Sequence, residues 1–117
     1  MARFNNVRTA IKLQFRDVPH FIHKDFLNSD ERYIQKTLAT AMGRDDLLAL
    51  VEAVRMSSCL TMATPFDEAS AEWCRDLDIV KIASSDINDW PLIQAIAKLR
   101  KPVIVSTGGS SLKDIDD

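Results

Sequence analysis

Apolar residues fall along this chain in two rhythms, a near-continuous run of a few residues and a stripe repeating every three or four, and the two alternate. Thr9-Ala-Ile-Lys-Leu-Gln-Phe15 is a short run rich in apolar and β-branched residues, which predicts a strand. The stretch from Arg16 to Ser29 holds Pro19, two histidines and two aspartates in neither rhythm, and predicts a long loop. From Asp30 to Met42, Ile34, Leu38 and Ala41 share a helical face, with Ser29 as N-cap and Gly43 as the stop. Asp45 or Asp46 then caps a stronger helix carrying Leu47, Leu50, Val51 and Val54 on one side, with Glu52 and Arg55 turned away. Cys59 to Thr64 predicts the next strand, stopped by Pro65. Asp67 to Leu77 predicts a helix with Ala69, Trp73 and Leu77 in line. Ile79 to Ser84 predicts a third strand. Asn88 or Asp89 caps a third full helix, with Trp90 and Pro91 in its first turn, where proline's missing N–H does no harm, and Ile93, Ile96 and Ala97 inward. Pro102 to Thr107 predicts a fourth strand, closed by Gly108-Gly109, and Ser111-Leu-Lys-Asp114 has the form of a helix start.

Strand alternating with helix, through mostly short connections, argues for an α/β fold with a parallel sheet built of βαβ units. The nearly unbroken apolar strands agree, because a parallel sheet is covered on both faces. A closed β/α barrel takes about 250 residues, whereas four strands cannot close by themselves. The expectation is one incomplete barrel domain over residues 1–117, its N- and C-terminal parts absent, that associates with another copy or needs a missing remainder.

Composition narrows the function classes. With 15 Lys+Arg against 17 Asp+Glu, the net charge of −2 supplies no basic field for nucleic acid or an anionic membrane surface. No apolar run reaches the roughly 20 residues that span a bilayer, and the first residues lack a signal peptide's apolar core, so the expected location is cytoplasmic. Cys59 and Cys74 lack metal or redox spacing and are expected as buried, reduced thiols. His20 and His23 sit in a polar loop and are read as solvent- or sugar-facing; no metal site is assigned to this chain.

In parallel α/β proteins, binding groups gather at the C-terminal ends of strands. Those ends carry Lys12 and Gln14, then Thr64, then Lys81, Ser84 and Asp86, then Ser106 and Thr107. Lys12 and Gln14 share a face by strand period. Lys81, flanked by Val80 and Ile82, must reach water or an anion. A phosphate or carboxylate would relieve the repulsion between two lysines facing one mouth, and the hydroxyls with the N–H groups around Gly108-Gly109 could complete an anion cradle. Taken singly, a strand lysine can equally be a rim charge, and a strand-end hydroxyl a helix cap. Strict alternation puts Lys81 with Ala83 and Ser85, so Ser84 joins the pocket only if the strand ends before it.

These strand ends, in this order, resemble the sialic acid synthase family with its legionaminic and pseudaminic acid relatives. Ala10-Ile-Lys-Leu-Gln14 is similar to the family's second barrel strand, Ala63-Thr-Pro-Phe-Asp67 to its third and Val80-Lys-Ile-Ala-Ser-Ser-Asp86 to its fourth. Trp90-Pro-Leu-Ile93 and Lys101-Pro-Val-Ile-Val-Ser-Thr-Gly108 resemble the next helix start and the fifth strand. The resemblance implies an aldolase-type (β/α)8 TIM barrel, of which this chain holds approximately strands 2 to 5. It implies condensation of phosphoenolpyruvate with an N-acetylated amino sugar aldehyde, releasing phosphate. On the matching positions, Lys12, Gln14, Thr64, Lys81, Ser84 and Ser106 are implied to bind substrate and Asp86 and Lys81 to act at the reacting centre. Gln14 and Asp86 are the residues implied to face the sugar or the reacting centre. A divalent cation, manganese or magnesium, is implied as cofactor, but its usual ligands, two histidines on later strands, are not in this chain.

Ala83 and Ser85 replace the usual glycines, and Gly109 stands where methionine or alanine is common. Two other functions fit the same residues. One is an aldolase forming a Schiff base through Lys81; the other is a noncatalytic fragment or interaction module that keeps the strand-end polarity by descent.

Overall fold

The computed structural model describes residues 7–116. Four strands form one parallel sheet in sequence order: β1 (Ala10–Phe15), β2 (Leu60–Pro65), β3 (Ile79–Ile82) and β4 (Val103–Val105). The helices are α1 (Val18–Phe21), α2 (Arg32–Ala39), α3 (Arg44–Met56), α4 (Glu68–Glu72), α5 (Trp90–Lys98) and α6 (Leu112–Asp116). This is the expected α/β alternation, with every connection between neighbouring strands a crossover.

The core lies between one face of the sheet and α3, α4 and α5. Phe15, Ala63, Val80 and Ile82 point from the strands to Leu47, Val51, Ala71, Cys74, Leu77, Leu92 and Ile96. Side chains alternate along a strand, so Lys12, Gln14, Met62, Thr64 and Lys81 stand on the opposite face, the one a barrel turns inward.

Several helices rotate away from the predicted stripes. In α3, Leu47, Val51 and Val54 are buried but Leu50 is 40% exposed. Three residues beyond Leu47, it lies about 60° off the stripe centre. The helix also starts a residue before the expected aspartate cap: Gly43 flanks it, and Asp45 and Asp46 sit in its first turn, where negative charge meets the unpaired N–H groups.

α4 is only five residues long, and i→i+3 bonds follow it, Cys74 N–H to the Ala71 carbonyl and Leu77 N–H to that of Cys74, both at 3.0 Å. A three-residue period therefore buries Ala71, Cys74 and Leu77, and leaves Ala69 outside. In α5 the Asp89 carboxylate accepts from the Leu92 N–H at 3.1 Å as the cap, and the face turned inward is Leu92 and Ile96, with Ala97 exposed. α2 begins later than expected. The Ser29 hydroxyl accepts from the Glu31 N–H at 3.2 Å in the preceding turn, and Ala41 lies beyond the helix end, exposed. The long loop itself contains α1, with Pro19 in its first turn, and a 3-10 turn at Lys24–Phe26.

A side-chain clamp sets the level of β3 against β2. One Asp78 carboxylate oxygen accepts from both the backbone N–H and the hydroxyl of Thr61, each at 2.8 Å. The Asp78 N–H donates back to the Thr61 hydroxyl at 3.0 Å. These bonds, the backbone N–H of Thr61 foremost, hold the Asp78 carboxyl below its ordinary value. Cys59 and Cys74 are buried free thiols, as expected. Burial, with the charge of Asp67 second, pushes the Cys74 thiol up to about 12.

Candidate active site

The register places the strand-end residues on two levels. Lys12 pairs with Met62 and Gln14 with Thr64, so Lys12 sits one layer deeper than the Gln14–Thr64 level. Ala63 pairs with Val80, which puts Thr64 beside Lys81, and Lys81 in turn pairs with Ile104. Ser106, two residues beyond Ile104, returns to the same face at the rim.

Lys81 is the best-defined member. Its ammonium donates to the Ser106 hydroxyl at 2.6 Å and reaches the Ile82 carbonyl at 3.4 Å. The chain joins two crossover strands at this point through neutral oxygens alone, and Lys81 makes no ion pair among the described residues.

β3 ends at Ile82, and Ser84–Asp86 forms a 3-10 turn. That early ending releases Ser84 from strict alternation. A Cβ placed on Gly108 would lie 3.6 Å from the Ser84 Cβ and 3.7 Å from its hydroxyl oxygen, both ordinary contact distances, so the two loops meet here without requiring a glycine. Gly109 follows at φ 84°, where an L side chain is strained.

Two buried polar atoms at this mouth lack partners. The Thr64 hydroxyl, in a residue only 2% exposed, makes no hydrogen bond, and neither does Oδ2 of Asp86. The other Asp86 oxygen accepts from the Ser85 hydroxyl at 2.8 Å. Buried polar groups are nearly always satisfied, so each of these atoms is free to take a bond from a water or a ligand group. Lys12 and Gln14 are exposed on the open face. Thr107 is exposed past the end of β4, and the structure brings it to none of these groups.

Arg16 is a residue the strand-end reading passed over. It stands two residues beyond Gln14, and its guanidinium lies 4.2 Å over the Phe66 ring and 5.7 Å from that of Phe21. The Phe21 and Phe66 rings meet edge-on at 6.4 Å. The Asp17 N–H donates to the Asp67 carboxylate at 2.8 Å, tying the loops after β1 and β2 together. No local signal pointed to it, since Phe66 lies fifty positions away in the sequence. Beside Arg16 lies a cavity of about 60 Å³, lined by Gln14, Thr37, Thr40, Met42 and Leu47 among others.

The histidines do not enter the mouth as metal ligands. His20 Nδ1 lies 2.7 Å from the Asp17 carboxylate and His23 Nδ1 accepts from the Asp25 N–H at 3.4 Å. Among the described residues no group of three or more His, Cys, Asp or Glu could hold a metal ion, so the cation that the resemblance implies does not fit this chain's own residues. No described helix is long and apolar enough to cross a membrane.

A parallel β/α unit with an ammonium, hydroxyls and a carboxylate at consecutive strand ends is a segment of a β/α barrel fold. The comparisons specify which barrel. Residues 6–117 match the model of the NeuB family, and the chain belongs to that family. A crystal structure of spore coat polysaccharide biosynthesis protein E from Chromobacterium violaceum superposes with a TM-score of 0.91 at 34% identity, over 96% of this chain and 34% of that one. The N-acetylneuraminic acid synthetase of Leptospira borgpetersenii, in complex with citrate, superposes at 0.76 with 28% identity, over 92% and 36%. SpsE of Bacillus subtilis is 28% identical over 98 residues, 82% of this chain and 26% of that protein. The chain thus spans about a quarter to a third of these relatives. Its four strands are a segment of their barrel fold.

Proposed function

We propose that this chain carries the phosphoenolpyruvate cradle of a sialic acid synthase-like barrel, which condenses phosphoenolpyruvate with an N-acetylated amino sugar aldehyde and releases phosphate. The observation that carries this reading is Lys81, oriented by the Ser106 hydroxyl and set by strand register beside the unpartnered Thr64 hydroxyl. Membership of the NeuB family supports the chemistry.

In this reading Lys12, Thr64, Lys81, Ser84 and Ser106 hold the phosphate and carboxylate of phosphoenolpyruvate. The two ammonium groups offset the ligand's charge, and the hydroxyls fix the enol carbon close to the sugar aldehyde, where it attacks. Gln14 and Asp86 face the sugar, and the free Asp86 oxygen accepts a hydrogen bond from a sugar hydroxyl or from the water that adds before phosphate leaves. A divalent cation, manganese or magnesium, when bound by the rest of the barrel, would polarise the aldehyde. The remaining strands come from a further segment or from another copy of the chain, and the reaction belongs to the completed, cytoplasmic barrel.

Titration calorimetry with phosphoenolpyruvate on the assembled, folded protein tests the cradle. A hydrogen bond to a charged group contributes roughly 1.5–3 kcal/mol, so Lys81→Ala weakens binding by about 10- to 150-fold. Affinities within twofold in a folded sample would exclude the reading. Borohydride trapping separates the Schiff-base alternative, since a substrate-dependent covalent adduct on Lys81 identifies an aldolase instead.

A further inference from the structure

We infer that two copies of this chain close one eight-stranded barrel, the open edge of β4 in each copy pairing with the open edge of β1 in the other, so that Lys12 of the second copy stands beside Ser106 at the mouth. This pairing is independent of which ligand the mouth binds.

Among the described residues β1 and β4 are the outer strands of the sheet, and their open backbone groups are complementary in phase. On β4 the Pro102 carbonyl accepts from the Val80 N–H at 3.0 Å, and the Ser106 N–H donates to the Ile82 carbonyl at 3.1 Å. Even-numbered residues therefore face β3, and Val103 and Val105 turn their N–H and C=O groups to the open side. On β1 the Thr9 carbonyl accepts from the Leu60 N–H at 2.8 Å and the Phe15 carbonyl from the Phe66 N–H at 3.0 Å. Here odd-numbered residues face β2, and Ala10, Lys12 and Gln14 turn their groups outward. A residue in a parallel ladder bonds to the two neighbours of its opposite number, so Val103 and Val105 need odd-numbered residues of β1 opposite them. The same phase keeps inward side chains beside inward ones.

Barrel geometry then selects the register. Leu13, Ala63, Val80 and Val103 are successive cross-strand partners. An eight-stranded barrel has a shear of about eight residues, hence about four per half. Right-handed crossovers on right-tilted strands carry such a line toward the strand starts, so Val103 meets Thr9 of the second copy, four before Leu13. Val105 then meets Ile11 on the helix side, Ile104 meets Ala10 and Ser106 meets Lys12 on the inner side. Every partner falls within the described strand ends, and apolar side chains meet apolar ones. The composition of β4 favours such an occupant. Val103, Ile104 and Val105 are 40–47% exposed and uncharged, whereas lone edges are blunted by charge, proline or bulges. Pro102 blunts nothing, since it belongs to the set facing β3. Leu112 and Ile115, exposed and three apart on α6, supply apolar cover for the new strand pair. Each copy spans half the barrel, so a two-fold axis along it keeps all strands parallel and closes the ring at two copies. The Lys81 ammonium, held by Ser106, then shares the mouth with a lysine from across the junction.

The test uses the full chain. Light scattering and sedimentation are expected to give twice the monomer mass. Val105→Cys and Ile11→Cys chains, mixed and oxidised, are expected to form a disulfide between copies, because adjacent strands lie about 4.8 Å apart, within a disulfide's reach. Val105→Cys with Leu13→Cys, on the same face but two residues out of register, is expected to link at least about fivefold less. Val105→Pro deletes one edge-facing N–H and leaves the bonds to β3 intact. That loss occurs in both junctions and is expected to weaken self-association about 10-fold or more. Circular dichroism checks that the variant is folded, and Val103→Lys, at a 40% exposed position, repeats the test without proline. If both variants unfold, the cysteine pairs decide, since they leave the backbone groups in place. A folded monomer at every concentration overturns the inference and assigns the edges to strands of another segment. Open-ended oligomers overturn it too, as do out-of-register linking equal to the in-register pair, and folded variants that associate within twofold of the unsubstituted chain. Phosphoenolpyruvate binding enters none of these outcomes, so the cradle and the pairing stand or fall separately.

Discussion

Removing the Asp78 carboxylate tests whether the clamp on Thr61 holds the two central strands level. Asp78→Ala deletes two accepted bonds of 2.8 Å and leaves the N–H of Thr61, a residue 2% exposed, without that acceptor. A hydrogen bond to a charged group contributes about 1.5–3 kcal/mol, and a stranded buried donor costs about 1–3 kcal/mol. Because Asp78 itself is exposed and water reaches the carboxylate, the lower half applies, and the expected loss is about 2 kcal/mol. Asp78→Asn keeps an acceptor and loses about half as much. The sign with pH follows from the depressed carboxyl. The contribution is fully present above the unfolded value near 3.8 and is lost as pH falls through the lower folded value. Denaturant unfolding of the assembled protein at several pH values reads this, with Thr61→Val closing a double-mutant cycle. The difference between unsubstituted protein and Asp78→Asn should shrink below about pH 3.8. A coupling energy under about 0.5 kcal/mol, or a difference that stays constant from neutral pH to acid, would refute the clamp.

Further substitutions probe the core, the loops and the thiols. Leu77→Ala, at a side chain 2% exposed, should destabilise by about 2–5 kcal/mol in the same unfolding assay. Gly109→Ala forces a side chain into φ 84° and should lose about 1–2 kcal/mol, whereas Gly108→Ala meets Ser84 only at ordinary contact distance and should leave stability nearly unchanged while weakening phosphoenolpyruvate in calorimetry. Cys74, with its thiol pushed up to about 12, should resist a thiol reagent at pH 8 until denaturant is added, which a timed colorimetric titration of Cys59→Ser protein reads directly.

The strands were legible because they are short apolar runs, two of them closed by Pro65 and by Gly108-Gly109, and the parallel order followed from the helices between them. The helix faces were harder. Ala69 sits in line with Trp73 and Leu77 at four-residue spacing, but the segment tightens to i→i+3 bonding after five residues of helix, and the buried line becomes Ala71, Cys74 and Leu77. Periodicity assumes one pitch, and nothing local announced the change. Ser84 shows the same limit at the site. Its place in the mouth depended on where β3 ends, and the 3-10 turn at Ser84–Asp86 decided it. Arg16 was missed because it follows the strand in a stretch with no period, and its stack on Phe66 joins residues fifty positions apart.

What distinguishes Lys81 from an ordinary strand-end lysine is the kind of partner it keeps. A carboxylate would have neutralised it, and an incoming anion would then have to break an ion pair before gaining anything. Ser106 and the Ile82 carbonyl orient the ammonium while leaving its charge uncompensated by any described residue. The Thr64 hydroxyl on the neighbouring strand is unbonded as well, so positive charge and an unmet hydrogen bond coincide at the ends of two neighbouring strands. In the proposed reading a phosphorylated carboxylic acid supplies the missing negative charge and the acceptor for the Thr64 hydroxyl. It follows that Ser106→Ala should act through orientation: the charge remains, and phosphoenolpyruvate should weaken by about 10-fold, the low end for a hydrogen bond with a charged partner. Ser106→Asp should abolish binding outright, because it supplies in advance the negative partner that the ligand would bring.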